Sequence, residues 1–247
     1  MAGTTTAEIA SRLHDVERRI EASATRAGRT PAAVSLVVVT KGHNPEVLRA
    51  AYAAGLRRFG ENRVEELVPK VAALADLEGV EWHLIGHVQS RKVRDLPVDI
   101  ALIHSVDRLK IALRLDEHAA KLGRQQDVLL ECNMSGEPQK DGWMLPDPGA
   151  WATALPEFDQ VSRLPGLRVL GLMTIAPMTP DVAVLRRTFR SLRELRSFAA
   201  DRLRVDWPHL SMGMSDDFEV AVEEGATMLR IGRAILGERP AGTGEGG

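Results

Sequence analysis

Polar side chains and glycines recur along this chain at one kind of position, directly after a short aliphatic run. The segments that follow these runs are Lys41-Gly42-His43, Gly60-Glu61-Asn62, Gly86-His87, His104-Ser105, Asn133-Met134-Ser135-Gly136, Met173-Thr174, Met212-Gly213-Met214-Ser215 and Arg230-Ile231-Gly232. If each run is a strand of one parallel sheet, the segments meet at the same end of that sheet. The pattern therefore predicts one site assembled from many loops.

Lys41 carries the most reactive group of this set. It follows Val34 to Val39, a run with no polar alternation that is typical of a strand buried on both faces. Asn44 and Pro45 then indicate a helix start, so Lys41 lies in a strand-to-helix loop. On its own, such a lysine is more often an ordinary surface residue. Partly desolvated beside other cations, it becomes an amine nucleophile that can form a Schiff base with a carbonyl compound.

The last two loops have the composition of a phosphate site. Gly213 and Ser215 precede a helix that we expect to start at Ser215 or Asp216, with Glu219 closing a capping box on Asp216. Gly232 lets a backbone approach a ligand closely. Either glycine alone is explained equally well by a tight turn, but together they favour phosphate. A lysine near a phosphate site suits pyridoxal phosphate, and equally a Schiff-base aldolase acting on a sugar phosphate.

Arg230 has two interpretations that the sequence leaves open. Facing inward, it would place a permanent cation near a pyridine nitrogen and disfavour protonation there, which suits holding a cofactor better than carbanion chemistry. Facing outward, it would form a surface ion pair with Glu223 or Glu224. The histidines lack metal-ligand spacing, so we expect no metal site, and Cys132 reads as an inert buried thiol.

The spacing of the elements predicts an α/β fold with eight strand–helix units. The predicted strands are Val34 to Thr40, Arg58 to Gly60, Glu81 to Ile85, Ile100 to His104, Asp127 to Asn133, Leu167 to Thr174, His209 to Met212 and Met228 to Ile231. The predicted helices are Thr6 to Arg26, Glu46 to Ala54, Arg63 to Leu77, Asp107 to Leu122, Asp181 to Leu203 and Asp217 to Glu224. Eight units in this length fit a (β/α)8 barrel, although periodicity alone also allows an open doubly wound sheet.

The composition limits the function classes. The chain has 247 residues, a formal net charge of −2 and a single cysteine, so we expect neither nucleic acid nor a membrane as partner. No apolar segment approaches the ~20 residues of a spanning helix, and we expect a cytoplasmic protein. We expect residues 1–240 to form one domain and the glycine-rich residues 241–247 to be a disordered tail.

Six segments together closely resemble the pyridoxal phosphate homeostasis protein family: TKGHNPEVLRAAYAAGLRRFGENRVEEL, WHLIGHVQSRKV, IHSVD, NMSGEPQKDGW, GLMTIAP and LSMGMSDDFEVAVEEGATMLRIGRAILGER. The resemblance implies a barrel like the N-terminal domain of alanine racemase, a TIM barrel with an extra N-terminal helix. It also implies that pyridoxal phosphate is held as an internal aldimine on Lys41. Arg230 would then face the pyridine nitrogen, Asn62 would line the pocket, and the phosphate would be bound by Ser215 and the backbone of Gly232 and Arg233.

The sequence departs from the family pattern at three places. The loop after Lys41 contains His43 and is one residue longer than usual, position 91 is arginine instead of asparagine, and position 233 is arginine where a small hydroxyl residue is frequent. Arg233 removes a hydroxyl from the expected phosphate site, while its backbone N–H and its cation remain available there.

The resemblance implies a carrier that holds pyridoxal phosphate and supplies it to apoenzymes, without robust turnover. The alternative is an amino-acid racemase of the same fold type, but such enzymes add a domain that forms a dimer and supplies a catalytic tyrosine. Here Tyr52, the one tyrosine, lies in the first barrel helix, and the chain ends soon after the last strand. We therefore expect a monomer. An aldolase ranks lower, because its lysine would usually follow the sixth strand, where this chain has Met173 and Thr174.

Overall fold

The structure is a computed structural model that describes residues 4–98 and 100–238. The predicted tail, residues 241–247, lies outside the described residues. Within them, none of the helices combines the length and the apolar character that crossing a membrane requires.

Parallel strands form a closed barrel in the described residues. The strands are β1 Ser35–Val39, β2 Arg58–Glu61, β3 Glu81–Leu84, β4 Ile100–Val106, β5 Gln126–Asn133, β6 Trp143–Met144, β7 Leu167–Met173, β8 His209–Ser211 and β9 Met228–Ile231. The order is β4-β3-β2-β1-β9-β8-β7-β5, and pairing of β4 with β5 closes the ring. All eight predicted strands are confirmed, and the doubly wound alternative is wrong because an open sheet would leave β4 and β5 unpaired at its edges.

The strand β6 was not predicted. Its two residues pair with Cys132 and Asn133 of β5. It belongs to an excursion of the chain between β5 and the next barrel strand. Two residues are too few to show a period-2 pattern, and therefore no sequence signal marks it.

The helices pack outside the barrel. They are α1 Thr6–Arg26, α2 Pro45–Ala53, α3 Val64–Ala73, α4 Leu109–Lys121, α5 Leu155–Ser162, α6 Val182–Leu203, α7 Phe218–Glu223 and α8 Arg233–Leu236. The extra N-terminal helix, α1, is confirmed and packs against α2, α7 and α8. Its start is fixed by a capping box between Thr5 and Glu8. The short helix α5 was missed, and the connection after β3 contains only a 3-10 helix, Ser90–Asp95.

Two separate apolar clusters show which strand residues face the barrel interior. The large cluster joins the helices to one face of the strands, with Ile103, Leu130 and Leu229 among its members. The small cluster contains the alternate residues Leu102, Leu129, Met173 and Met228. Because successive side chains point to opposite faces, residues two positions further along β4, β5 and β9 also face inward. These residues are His104, Glu131 and Arg230, which place a polar layer above the apolar one.

Candidate functional site at the mouth of the barrel

Lys41 follows β1 at the carboxyl-terminal mouth, as predicted, and a buried charged group holds the residue before it. The Thr40 hydroxyl donates to Glu61 Oε1 at 2.5 Å. Lys70 Nζ donates to the same carboxylate oxygen at 2.6 Å and to the carbonyl oxygen of Thr40 at 2.8 Å. Glu61 and Lys70 are both buried, so these bonds are shielded from water. The backbone that carries Lys41 is thereby tied to β2 and α3.

The loop after Lys41 turns at a glycine. Gly42 has φ +73°, a conformation that side chains rarely adopt. Its N–H donates to Glu66 Oε2 at 2.8 Å, and His43, the next residue, is buried. The predicted cap of α2 is confirmed, because the Asn44 side chain accepts from the N–H of Val47 and Pro45 is the first helical residue.

Arg230 faces into the barrel and is 3% exposed. Its Nη1 donates to Ser211 Oγ at 2.7 Å, and its Nη2 donates to the carbonyl oxygen of Thr174 at 2.9 Å. Burial lowers the pKa of Arg230 to about 10, although the negative charges of Glu131 and Asp217 oppose this shift. The outward interpretation is therefore wrong. Its proposed partners instead pair with arginines of the helices: Glu223 with Arg26 and Arg186, and Glu224 with Arg186, Arg190 and Arg193.

Two buried histidines continue the hydrogen-bonded chain that begins at Arg230. His104 Nδ1 lies 2.7 Å from Ser211 Oγ, and His104 Nε2 lies 2.9 Å from His83 Nδ1. Burial lowers the pKa of both histidines, that of His104 strongly. A neutral imidazole offers one donor and one acceptor nitrogen, so two neutral rings satisfy these bonds. The positive charge of this hydrogen-bonded chain therefore lies on the guanidinium of Arg230.

The loops after β8 and β9 lie side by side, as expected for a phosphate site. The N–H of Ala234 donates to Ser215 Oγ at 3.4 Å, which brings Ser215 to the start of α8 at Gly232 and Arg233. The Arg233 guanidinium pairs with Asp216 at 2.6 Å. First-turn N–H groups of a helix have no partner within that helix, so this corner can donate to an anion.

The helix start at Ser215 or Asp216 that the cap residues predict is wrong, whereas the predicted range Asp217 to Glu224 differs from the structure by one residue at each end. Helix α7 begins at Phe218, with Asp217 in the N-cap position. Asp217 Oδ1 accepts from the N–H of Met214 at 2.6 Å, which tightens the loop before the helix. Glu219 pairs with Arg19 of α1 at 2.9 Å instead of closing a capping box. Tertiary pairing between two helices has replaced the local cap.

The two glycines of this corner are required by packing within the protein. Gly213 has φ +97°, and a Cβ there would lie 2.6 Å from the Cβ of Ala221. A Cβ on Gly232 would lie 3.0 Å from the carbonyl oxygen of Val39 in β1. Each position thus has a structural reason to be glycine, so Ser215 and the backbone around it are the features that indicate a phosphate site.

The opposite side of the mouth is acidic. A cavity of about 260 Å³ lies between the ends of β2, β3 and β5 and is lined by Asn62, Ile85, Gly86, His87, Glu131, Cys132, Asn133, Gln139, Lys140, Asp141 and Ile175. Asn62, which the resemblance places in the cofactor pocket, thus lines this cavity. Burial, with the charges of Asp107 and Asp141, raises the pKa of Glu131 to about 7, although Arg230 opposes this shift.

A histidine bridges two carboxylates at the edge of this cavity. His87 Nδ1 lies 3.1 Å from Asp107 Oδ2 and 3.2 Å from Asp141 Oδ2. The ligand atoms of these three residues lie within 4.8 Å of one another. The residues belong to three separate loops, so no spacing along the sequence marks this grouping. Neither Ser105 nor Asp107 caps α4, whose N-cap residue is Arg108. The Ser105 hydroxyl donates to the carbonyl oxygen of Gly86, and Asp107 pairs with Arg108 and His87.

Sequence reasoning missed Glu131 and Ser211 as site residues. Glu131 lies two positions after the inward-facing Leu129, and Ser211 is the last residue of β8. Counting inward-facing positions from an apolar residue along each strand would have found Glu131. The thiol of Cys132 is buried as predicted, and this burial, together with the charge of Glu131, raises its pKa. The hydroxyl of Tyr52 donates to the carbonyl oxygen of Glu78, which precedes β3 at the barrel end opposite the mouth.

The closed barrel with its polar mouth defines the class of protein. The alanine racemase N-terminal domain family matches residues 12–240. Alanine racemase of Clostridium difficile 630 shares the fold, with a TM-score of 0.71 at 14% identity over 96% of this chain and 58% of that chain.

Two closer relatives give the particular family. The pyridoxal phosphate homeostasis protein of Aquifex aeolicus is 45% identical over 229 residues, which are 92% of this chain and 97% of the relative. PipY of Synechococcus elongatus PCC7942, solved with PLP bound, is 36% identical with a TM-score of 0.80, over 93% of this chain and 100% of that chain. The chain belongs to the pyridoxal phosphate homeostasis protein family.

Proposed function

We propose that this protein binds pyridoxal phosphate at the mouth of the barrel, stores it and supplies it to apoenzymes. The observation that carries the proposal is the buried Arg230, fixed by Ser211 and the carbonyl of Thr174 among neutral histidines. A fixed cation inside a barrel needs an electron-rich partner, and a pyridine nitrogen supplies a lone pair. The family relatives named for pyridoxal phosphate support the same cofactor.

The residues at the mouth fit the three parts of this cofactor. We propose that Lys41 Nζ holds its aldehyde carbon as a Schiff base, that Arg230 faces the ring nitrogen, and that Asn62 lines the ring. Ser215 and the N–H groups of Gly232 and Arg233 would hold the phosphate. When bound, pyridoxal phosphate supplies a carbonyl group that condenses reversibly with primary amines, which makes attachment to a lysine compatible with later release.

The charge of Arg230 argues for storage over turnover. A permanent cation at the ring nitrogen disfavours protonation of that nitrogen, and an unprotonated ring is a weaker electron sink. The proposal therefore includes no robust catalytic activity. A racemase would also need a base on the second face of the cofactor, and the hydroxyl of Tyr52 lies at the other end of the barrel. A monomer in the cytoplasm belongs to the same proposal.

The absorption spectrum of the protein with pyridoxal phosphate tests this function, before and after borohydride, for wild type and Lys41→Ala. We expect wild type to show a Schiff-base band that borohydride removes, and Lys41→Ala to lack the band. Lys92→Ala is the matched control, since Lys92 pairs with Glu65 on the outer surface. If the band is missing from wild type, a sugar phosphate becomes the ligand to test. If Lys41→Ala retains it, the lysine is wrongly assigned.

A further inference from the structure

Glu131 is a buried carboxylate without a partner among the described residues. It is 6% exposed, faces into the barrel mouth and lines the 260 Å³ cavity. No hydrogen bond or ion pair joins it to another side chain or backbone group in residues 4–98 and 100–238. Burying a carboxylate without a donor costs free energy. A group that is retained in that state points to a donor supplied from outside the chain.

The charges around Glu131 make the cavity attractive to a cation. Asp107 and Asp141 lie close enough for their charges to act on Glu131, and Asp107 Oδ1 is itself buried without a hydrogen-bond partner in the described residues. The nearest opposing charge, Arg230, directs Nη1 and Nη2 to Ser211 and Thr174. Lys140 pairs with Glu137. Among the described residues, Asp107 Oδ1 therefore lacks a hydrogen-bond donor, and Arg230 is the cation whose charge opposes the raised pKa of Glu131.

The size of the cavity favours an organic ammonium group over a bare metal ion. A volume of 260 Å³ equals roughly eight or nine waters at ~30 Å³ each, which is room for an alkyl chain as well as a charged head. His87 Nδ1 already occupies the two carboxylates of the possible metal triad, and Glu131 is not part of that triad. An ammonium group has three N–H donors and can serve several carboxylate oxygens around one cavity.

We propose that the acidic cavity lined by Glu131 and Asp141 is a binding site for a primary alkylammonium group. This inference rests on the proposed function, because it places an acceptor amine beside the cofactor held by Lys41. The amine could be a lysine side chain of an acceptor protein or a free amino acid. Both sources share the ammonium group that the carboxylates recognise.

The test is a ligand-observed NMR titration of the cofactor-free protein with n-butylammonium, which mimics a lysine side chain. Parallel arms use L-alanine, the neutral isostere n-butanol, and Mg²⁺ alone. The variants are Glu131→Gln and Asp141→Asn. Glu117→Gln is the matched control, because Glu117 is exposed on the outer helix α4 and pairs with Arg114.

We expect Glu131→Gln to weaken butylammonium binding at least tenfold and Asp141→Asn severalfold, with Glu117→Gln unchanged. Affinity should fall as the pH drops below about 7, because Glu131 then takes up a proton and loses its charge while Asp107, Asp141 and Arg230 still surround it. Tighter binding of butylammonium than of alanine indicates a lysine side chain as the ligand. The reverse order indicates a free amino acid.

The site is disproved if Glu131→Gln binds butylammonium as tightly as wild type, if n-butanol binds equally well, or if Mg²⁺ alone binds in a Glu131-dependent way. Absorbance with pyridoxal phosphate is recorded on the same preparations. A normal cofactor band without amine binding overturns this site and leaves the proposed function standing. Amine binding without a cofactor band overturns the proposed function while the acidic cavity remains an ammonium site.

Discussion

The two ends of the barrel differ in whether their charged side chains are paired and exposed or buried and incompletely paired. At the amino-terminal end, Arg58 pairs with Glu81 at 2.8 Å and Arg168 with Asp127 at 2.6 Å. In each pair the two residues lie opposite each other on adjacent strands and are partly exposed. At the mouth, Glu61, Asp107 and Glu131 are buried. Within the described residues, Glu61 Oε2 and Asp107 Oδ1 are buried without hydrogen-bond partners, and Glu131 lies buried against the mouth cavity without an ion pair.

This difference separates charges that fit the fold from charges that serve a site. An exposed cross-strand pair costs little and adds little. A buried carboxylate with an unsatisfied oxygen destabilises the fold unless a partner compensates it. The buried carboxylates that destabilise the fold therefore lie at the mouth, in the same region as Lys41, Asn62 and the acidic cavity. Substitutions at the two ends should consequently change the free energy of unfolding by different amounts and, in one case, with opposite sign.

The largest effect is expected at the buried pair beneath Lys41. Lys70→Met leaves Glu61 buried without its cation and should lower the free energy of unfolding by about 3–5 kcal/mol in urea titrations. Adding Glu61→Gln should recover much of that loss, because neither charge is then unpaired. Lys92→Met removes an exposed pair and serves as the control. An equal loss in the two lysine variants would contradict the distinction between mouth and surface.

Glu131→Gln should stabilise the protein, in contrast to Lys70→Met, since it removes a buried charge that has no partner. The folded protein holds a proton on Glu131 up to about pH 7, whereas the unfolded chain releases it near 4.5. Stability therefore falls as the pH rises through that window, and the variant should gain about 2–3 kcal/mol at pH 8 but little at pH 4. Urea unfolding at both pH values measures this. A variant less stable than wild type at pH 8 would show that Glu131 is already compensated.

An intermediate change in stability is expected when the hydrogen-bonded chain of side chains inside the barrel is interrupted. Ser211→Ala removes the oxygen that accepts from Arg230 Nη1 and contacts His104 Nδ1. Leaving these buried groups unsatisfied should cost about 1–3 kcal/mol and weaken binding of pyridoxal phosphate, measured by titration of its absorbance. Ser197→Ala, on the exposed face of α6, is the control. Unchanged stability and affinity would mean that Arg230 needs no such support.

The smallest effect is expected at the amino-terminal end. Arg168→Gln removes one exposed ion pair with Asp127 and should change the free energy of unfolding by less than about 1 kcal/mol. The change should shrink further in high salt, because exposed charges are screened. A loss as large as that of Lys70→Met would erase the contrast between the two ends.

The sequence predicted the strands well because each is a dense aliphatic run bounded by glycine or polar residues. The cap at Asn44 was also predictable, since it depends only on neighbouring residues. The capping box at Asp216 failed because Glu219 has a stronger partner, Arg19, about two hundred residues away along the chain. Closure of the barrel depends on pairing between β4 and β5, and composition carries no signal of which strands lie at an edge.

Sequence reasoning selected residues on the lysine side of the mouth and at the proposed phosphate corner, and it missed the acidic side. Lys41, Ser215 and Arg230 are chemically conspicuous beside glycines, whereas Glu131 stands inside an aliphatic strand. Its importance comes from lacking a partner, which is a property of the packed barrel. His87, Asp107 and Asp141 come together only because three loops converge.

The most direct test of the central claim is to identify the lysine that carries the cofactor. Protein incubated with pyridoxal phosphate is reduced with borohydride, digested and mapped by mass spectrometry. The account predicts that the adduct lies on Lys41, on the peptide that follows β1. An adduct on Lys140, at the acidic cavity, or on Lys70, within the buried pair, would contradict it, as would labelling spread evenly over surface lysines.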